Sequence, residues 1–494
     1  MHVVFRSAIA ALLLTGGSTC VQAGVTLGSF TVDQNLFVAQ STQGNFGPSN
    51  SHPTSLAAMR EYPVTIDVAG VAANPPTISV PLPDRPDLLL KRVRFQPGAS
   101  FIVREGNGFY PFGTPAGVSY SWYGRSQDER TEATLTVVHG VMSGVINGPD
   151  FRYSIVTAPG GGQIFRVLDP NGFPADFEPP DAPPSSAPTA TQTTLQAPAA
   201  MSNYPVTIKT MVLYTANALT AANGNMDSTI ADAIAALNNA LANSQLGNVH
   251  YVLARSQQIN YDETAIGKAN PTWLWDQRFD AHRRWLHGSS TVASLRAQYN
   301  ADEVQMLIDD PQGGGISYTQ RNDCGTTSFA PAIMGCTIGP GYKNFAFSVV
   351  DYGHVTQDLI FVHEVGHTLG ADHDPKNVPF SVEFDNLLGS YGHVIPDVVR
   401  EVMAYATFPN CTGSLETNCP RQLIFSNPNV NFNGYPYPSG RLQTEDQFPG
   451  GVQGDKRYRY NAYTINIRAQ GVANFFEPTV ADDTIFIDRF GDPI

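Results

Sequence analysis

Between Val25 and Leu168, apolar positions recur in short runs broken by Gly and Pro, as in Phe101-Ile-Val-Arg104, Ala133-Thr-Leu-Thr-Val-Val138 and Gln163-Ile-Phe-Arg-Val-Leu168. Runs of that length, rich in β-branched residues, predict strands, so residues 24–168 are expected to form a β-rich domain. The pattern then stops. From Asp169 to Asn203 the chain places Pro170, Pro174, Pro179, Pro180, Pro183, Pro184, Pro188 and Pro198 among Ala, Ser and Thr. Such a composition packs no core and predicts an extended, protease-accessible linker. Beyond Tyr204 the character changes again. Val206–Tyr214 reads as a strand, Met226–Leu246 repeats Ile230, Ile234, Leu237 and Leu241 at helical spacing, and Val249–Ala254 reads as a second strand. Asp276–Tyr299 predicts a further helix, Val304–Ile308 a buried strand, and Phe345–Val350 a strand just ahead of another helix. Strands and helices interleave, which predicts an α/β (α+β) domain over residues 204–478. Residues 479–494 form a short acidic and aromatic tail.

The chain begins with His2 and Arg6, an apolar stretch from Ala8 to Leu14, and the small-residue site Val21-Gln22-Ala23. This is the layout of an export signal over residues 1–23, which makes the expected localisation secreted, with no membrane association once the signal is removed. The run is too short for a spanning helix, which needs about 20 apolar residues. Four cysteines then remain in an oxidising compartment, Cys324, Cys336, Cys411 and Cys419. Three pairings are possible, and the two close pairs suggest local disulfides. With 29 basic and 43 acidic residues the formal net charge is -14, which repels phosphate backbones and argues against a nucleic-acid partner.

The chemistry is concentrated in Phe361-Val-His-Glu-Val-Gly-His-Thr-Leu-Gly-Ala-Asp-His-Asp374, which contains HExxHxxGxxH. His363 and His367 are four apart, so on a helix their imidazoles leave one face about a turn apart and can clamp one ion. Glu364, beside the first ligand, is placed to act on a water at the metal. Gly370 can take the left-handed conformation that ends a helix, and the chain then turns back to bring in His373. Three imidazoles with an open fourth position suit one catalytic Zn2+, whereas structural sites are closed by a fourth side chain. Water bound there has its pKa lowered to about 7, and Glu364 is the expected general base.

With these residues the sequence resembles the metzincin zinc metalloendopeptidases. A downstream Glu401-Val-Met-Ala-Tyr-Ala406 is similar to their Met-turn, with Met403 as an apolar floor under the metal. Asp374, directly after the third histidine, is the residue type of the reprolysin (adamalysin-like) branch, where it is a buried structural carboxylate. Tyr405 is similar instead to the astacins and serralysins, whose tyrosine ligates zinc reversibly and supports the oxyanion. The resemblance implies a metzincin-like catalytic domain with a twisted mixed sheet and long helices, preceded by a β-rich propeptide. It also implies an antiparallel edge strand on which substrate lies as an added strand, a role that Phe345–Val350 matches by position. Ile424-Phe-Ser-Asn-Pro-Asn429 is similar to the segment that walls the specificity pocket.

The expected function is a secreted zinc endopeptidase made as a zymogen, acting as a monomer on protein or peptide substrates, with its own propeptide as inhibitor. A structural Ca2+ is compatible with this reading but is not specified by the sequence. The competing readings are an inactive zinc-binding adhesion or inhibitor module on the same fold, and a zinc hydrolase of another amide or ester. Retention of Glu364 separates the first from the second. Residues 24–203 contain no cysteine, so a thiolate cannot block the metal, and Asp169 and Asp176 are the candidate carboxylate ligands for latency. Of the other histidines, His282 and His287 are expected on a solvated helical face with Arg283 and Arg284, and His393 in a structural role.

Overall fold

The protein is described by a computed structural model covering residues 34–40, 58–83, 85–97, 102–105, 108–111, 119–173, 201–270, 272–310, 312–318, 340–377, 391–407, 410–414, 417–442 and 459–476. The export signal, Asp176 with most of the linker, the Cys324/Cys336 pair and the tail after 478 lie outside these residues.

Most of the first runs form a β-sheet of ten strands among the described residues, whereas Ile102–Glu105 pairs antiparallel with Gly108–Pro111 in a separate two-stranded sheet. The spatial order of the ten is Gln34–Asn35, Thr77–Val80, Leu88–Pro97, Tyr120–Ser126, Glu132–Val138, Val141–Asn147, Arg152–Thr157, Gln163–Leu168, Ala58–Ile66 and Phe37–Gln40. From Leu88–Pro97 to Gln163–Leu168 each strand pairs antiparallel with its successor in this order. Leu90, Trp122, Leu135, Val137, Met142, Ile146, Ile155 and Phe165 bury its apolar core.

The second unit is built on β1 (Val206–Tyr214), β2 (Val249–Gln258), β3 (Glu303–Ile308), β4 (Gly315–Ser317) and β5 (Phe347–Asp351). Their order is β2-β1-β3-β5-β4, with all neighbours parallel except the antiparallel pair β5 and β4. The sheet is therefore mixed and has one antiparallel edge strand, as the resemblance implies, but that strand is Gly315–Ser317. Phe345–Val350, expected at the edge, contributes instead to β5, an interior strand parallel to β3. The sequence could not separate the two, since a three-residue strand after a glycine run carries almost no periodicity.

Side chains alternate across the sheet with period two. Val212, Leu307 and Val350 face a core shared with α1 (Met226–Asn243), while Met211, Leu213, Met306 and Val349 face one shared with α2 (Trp275–Gly288) and α3 (Ser290–Gln298). The single helix expected over 276–299 is thus two. Gly288 ends the first, and the Ser289 side chain accepts from Val292 N to start the second. Nor do His282 and Arg283 lie on a solvated face. His282 is 2% exposed, its Nδ1 is 2.7 Å from the Tyr261 hydroxyl, and burial lowers its pKa to about 4. Arg283 is also buried and donates to Ser317 O on β4 and to Asp280. Cys411 and Cys419 form the expected local disulfide. No helix among the described residues is long and apolar enough to cross a membrane.

Candidate active site

Helix α4 (Ile360–Thr368) carries the first two histidines and is buried along its whole length. It stops where the sequence says it should. Gly370 has φ +84°, its N–H donates to His367 O at 2.8 Å, and Ala371 N donates to Gly366 O at 2.9 Å. This pair of bonds is a Schellman motif, and it turns the chain so that His373 comes back over the helix.

The three Nε2 atoms converge: His363 to His373 is 3.2 Å, His367 to His363 3.2 Å and His367 to His373 2.9 Å. Donors about 2.0–2.1 Å from a tetrahedral zinc stand about 3.3 Å apart, so the set fits that ion. The remaining nitrogens agree. His363 Nδ1 is 3.0 Å from Val402 O and His367 Nδ1 is 2.9 Å from Ala371 O. A carbonyl can only accept, so Nδ1 carries the proton in both rings and each Nε2 presents its lone pair to the common centre. Among the described residues no other group of three His, Cys, Asp or Glu side chains meets this closely.

Glu364 is 1% exposed, and its carboxylate lies against the edge strand. A Cβ added at Gly315 would stand 2.6 Å from Glu364 Oε1 and 2.7 Å from Ile360 Cγ2. Gly315, which leaves room for that carboxylate, is a position that the sequence reading missed; its one signal was Gly313-Gly-Gly315, three successive residues without side chains. Gly315→Ala is expected to push the Glu364 carboxylate from its place and lower kcat at least tenfold, with a loss of about 1–3 kcal/mol in stability from overpacking. Steady-state kinetics and thermal unfolding of one sample check both, and an unchanged kcat would show that the contact does not position the carboxylate.

Beneath the helix, Met403 is fully buried and its sulfur comes within 2.5 Å of where a Gly366 Cβ would be; Phe425, from the 424–429 run, is 3.0 Å from the same point. Val402 N donates to Ile424 O at 3.0 Å, so that run lies beside the Met-turn. Asp374 is 1% exposed and joins the two turns: its Oδ2 accepts from Tyr405 N at 3.1 Å and from Asn377 Nδ2 at 2.7 Å. That bond sets Tyr405, whose hydroxyl is 3.0 Å from His373 Nε2 and whose ring centroid is 4.2 Å from that imidazole. His363, His367, His373 and Tyr405 are thus brought to one centre, with Glu364 on the same helix against β4 and Met403 packed at Gly366. Gly370 and Asp374 shape the turn beside that centre.

His393 is buried, its N–H faces Glu401 Oε1 at 3.3 Å, and burial with the charges of Arg459 and Arg441 lowers its pKa well below the usual value. Asp169 accepts from Asn171 N at 2.9 Å and caps a short 3₁₀ turn, Pro170–Gly172, outside the histidine group.

Residues 204–412 match metallo-peptidase family M12, reprolysin type. This segment is a reprolysin-like metallopeptidase domain of the metzincin type. A Xanthomonas campestris pv. campestris protein called peptidyl-Asp metalloendopeptidase is 30% identical over 253 residues, 50% of each chain, so the match spans half of that relative's length. A protein of the same name from Stenotrophomonas maltophilia strain K279a is 26% identical over 407 residues, 81% of this chain and 87% of the relative. Metalloproteinase-II from Bacteroides fragilis is 14% identical with a TM-score of 0.33, over 62% of this chain and 85% of its own. Packing onto the site continues past the matched segment. Helix α5 (Asn461–Ala473) lies against the site, with Asn461 exchanging bonds with Asp372 N and O at 3.2 and 3.1 Å and Arg468 covering Gly370.

Proposed function

We propose that the protein is a secreted zinc-dependent endopeptidase that hydrolyses peptide bonds in proteins, uses Glu364 as general base, and is made as a zymogen restrained by its N-terminal domain. The observation that carries the reading is the convergence of three Nε2 atoms, two of them oriented by carbonyls on Nδ1, with the Tyr405 hydroxyl beside His373 and Glu364 next to His363 on the same helix. Zinc bound there supplies Lewis acidity toward a carbonyl and lowers the pKa of water. The side chains do the rest. Glu364, held against β4, takes a proton from the attacking water and can return it to the leaving amine. The Tyr405 hydroxyl is placed to donate to the developing oxyanion. Strand β4, at the sheet edge and alongside Glu364, is where an extended substrate can add as a further strand, its backbone bonds fixing the register.

The names of the relatives extend the reading to cleavage directed by aspartate. Export is proposed from residues 1–23. Casein hydrolysis measured with and without a zinc chelator, and again after zinc is restored, tests the function. Chelator-sensitive cleavage that zinc rescues is expected, and hydrolysis indifferent to the chelator would refute it. No cleavage by zinc-loaded protein freed of residues 24–203 would favour the inactive binding module.

A further inference from the structure

The N-terminal sheet reaches the catalytic unit through groups as buried as a domain core. Arg152 donates to Asp358 Oδ1 at 2.9 Å, and both are about 2% exposed. Fully buried Arg421 donates to the Asp358 carbonyl at 2.7 Å and keeps its guanidinium 3.7 Å from the carboxylate. Asp358 immediately precedes Leu359, a non-glycine residue at φ +61° from which α4 starts. Backbone of that kind persists only where its surroundings over-determine it. Here the surroundings include an arginine from the other domain.

At Arg421 and Leu423, beyond the Met-turn, the same sheet grips the chain again. Asn147 Nδ2 donates to Arg421 O at 2.7 Å, and Glu132 Oε1 accepts from Leu423 N at 2.7 Å. Along α1, Asn243 donates to the Tyr123 hydroxyl and to Leu423 O, both at 2.8 Å, while Thr136 donates to Asp232 at 3.0 Å. Tyr123 and Val138 of the sheet belong to the same apolar cluster as Ile230, Leu237, Val365 and Met403.

We propose that α1 together with residues 421–425 is a binding surface for the chain's own N-terminal sheet that does not depend on the covalent linker. Cutting the linker leaves one non-covalent particle, and the release of the cleft needs a second event that removes or degrades the sheet. Separation would strip Asp358 of one arginine and leave Leu423 N and Asn243 short of partners inside an apolar core. Such groups resist separation far more than an exposed contact does. The sheet acts from behind the cleft, on the start of the metal-bearing helix and on the segment beside the Met-turn. The latency half of this proposal rests on the zymogen reading above; the binding half does not.

The test uses the full chain with a recognition sequence for a specific protease placed in the linker, zinc-loaded and cut to completion. The two parts are expected to co-elute at the position of uncut protein on size exclusion, also after dilution from about micromolar to about 10 nM, with casein hydrolysis within about twofold of the uncut level. Separate elution would overturn the proposal. Co-elution with a large rise in hydrolysis would overturn its claim on release. In Arg152→Ala/Glu132→Ala the cut parts are expected to bind at least tenfold more weakly. Should that variant fail to fold, the dilution series on the cut native protein decides alone. If no form hydrolyses casein, the functional reading fails while co-elution still tests the surface.

Discussion

The His367→Ala variant is expected to lose zinc and hydrolysis together. Its Nε2 is one corner of a triangle whose sides are 2.9 to 3.2 Å, and its Nδ1 is anchored on Ala371 O. Alanine leaves two imidazoles and a gap, and two ligands do not make the three-coordinate protein set of a catalytic zinc site. The loss should exceed the 10- to 100-fold that removing a supporting partner of a ligand typically costs. Metal analysis of purified protein is expected to fall from about one zinc per chain to near zero, with peptide cleavage at background. A variant that kept stoichiometric zinc and turnover would remove His367 from the site. Circular dichroism guards against simple unfolding, since His367 is fully buried and its truncation also opens a cavity.

Glu364→Gln separates chemistry from binding. The substitution keeps size and leaves all three imidazoles, so zinc is expected to stay, while the amide cannot accept a proton from water. General-base catalysis is worth about 10²- to 10⁴-fold, and kcat should fall by that amount. The place of Glu364 against Gly315 makes this the cleaner probe, because glutamine fits the same space. Tyr405→Phe should show a smaller loss, mainly in kcat, since it removes one donor near His373 Nε2 and leaves the ring packed on the imidazole. An unchanged rate in zinc-loaded Glu364→Gln would end the proposed mechanism.

The three-histidine cluster was legible because its parts are close in sequence. His363 and His367 share a helical face by spacing, and Gly370 and His373 follow within one turn and one reversal, so local geometry alone brings the nitrogens near one point. The N-terminal strands, β1 and β3 were likewise written in short β-rich runs, and α1 in apolar residues at helical spacing. Other features were not. Gly315 matters only because a strand nearly fifty residues upstream is laid against Glu364. The split between α2 and α3 turned on one serine cap, and the burial of His282 and Arg283 on packing against Tyr261 and β4.

By itself, then, the sequence determined which three histidines meet, the break in the helix that carries two of them and the division into a β-rich and a mixed part. These depend on dihedral preferences and side-chain spacing within some ten residues. Tertiary structure decided which strand forms the edge, how Asp374 bonds to Tyr405 across 31 residues, and how Glu132 holds Leu423 across 291. Contacts of that separation arise from burial of complementary surfaces. No local pattern encodes which distant partner a buried polar group will meet.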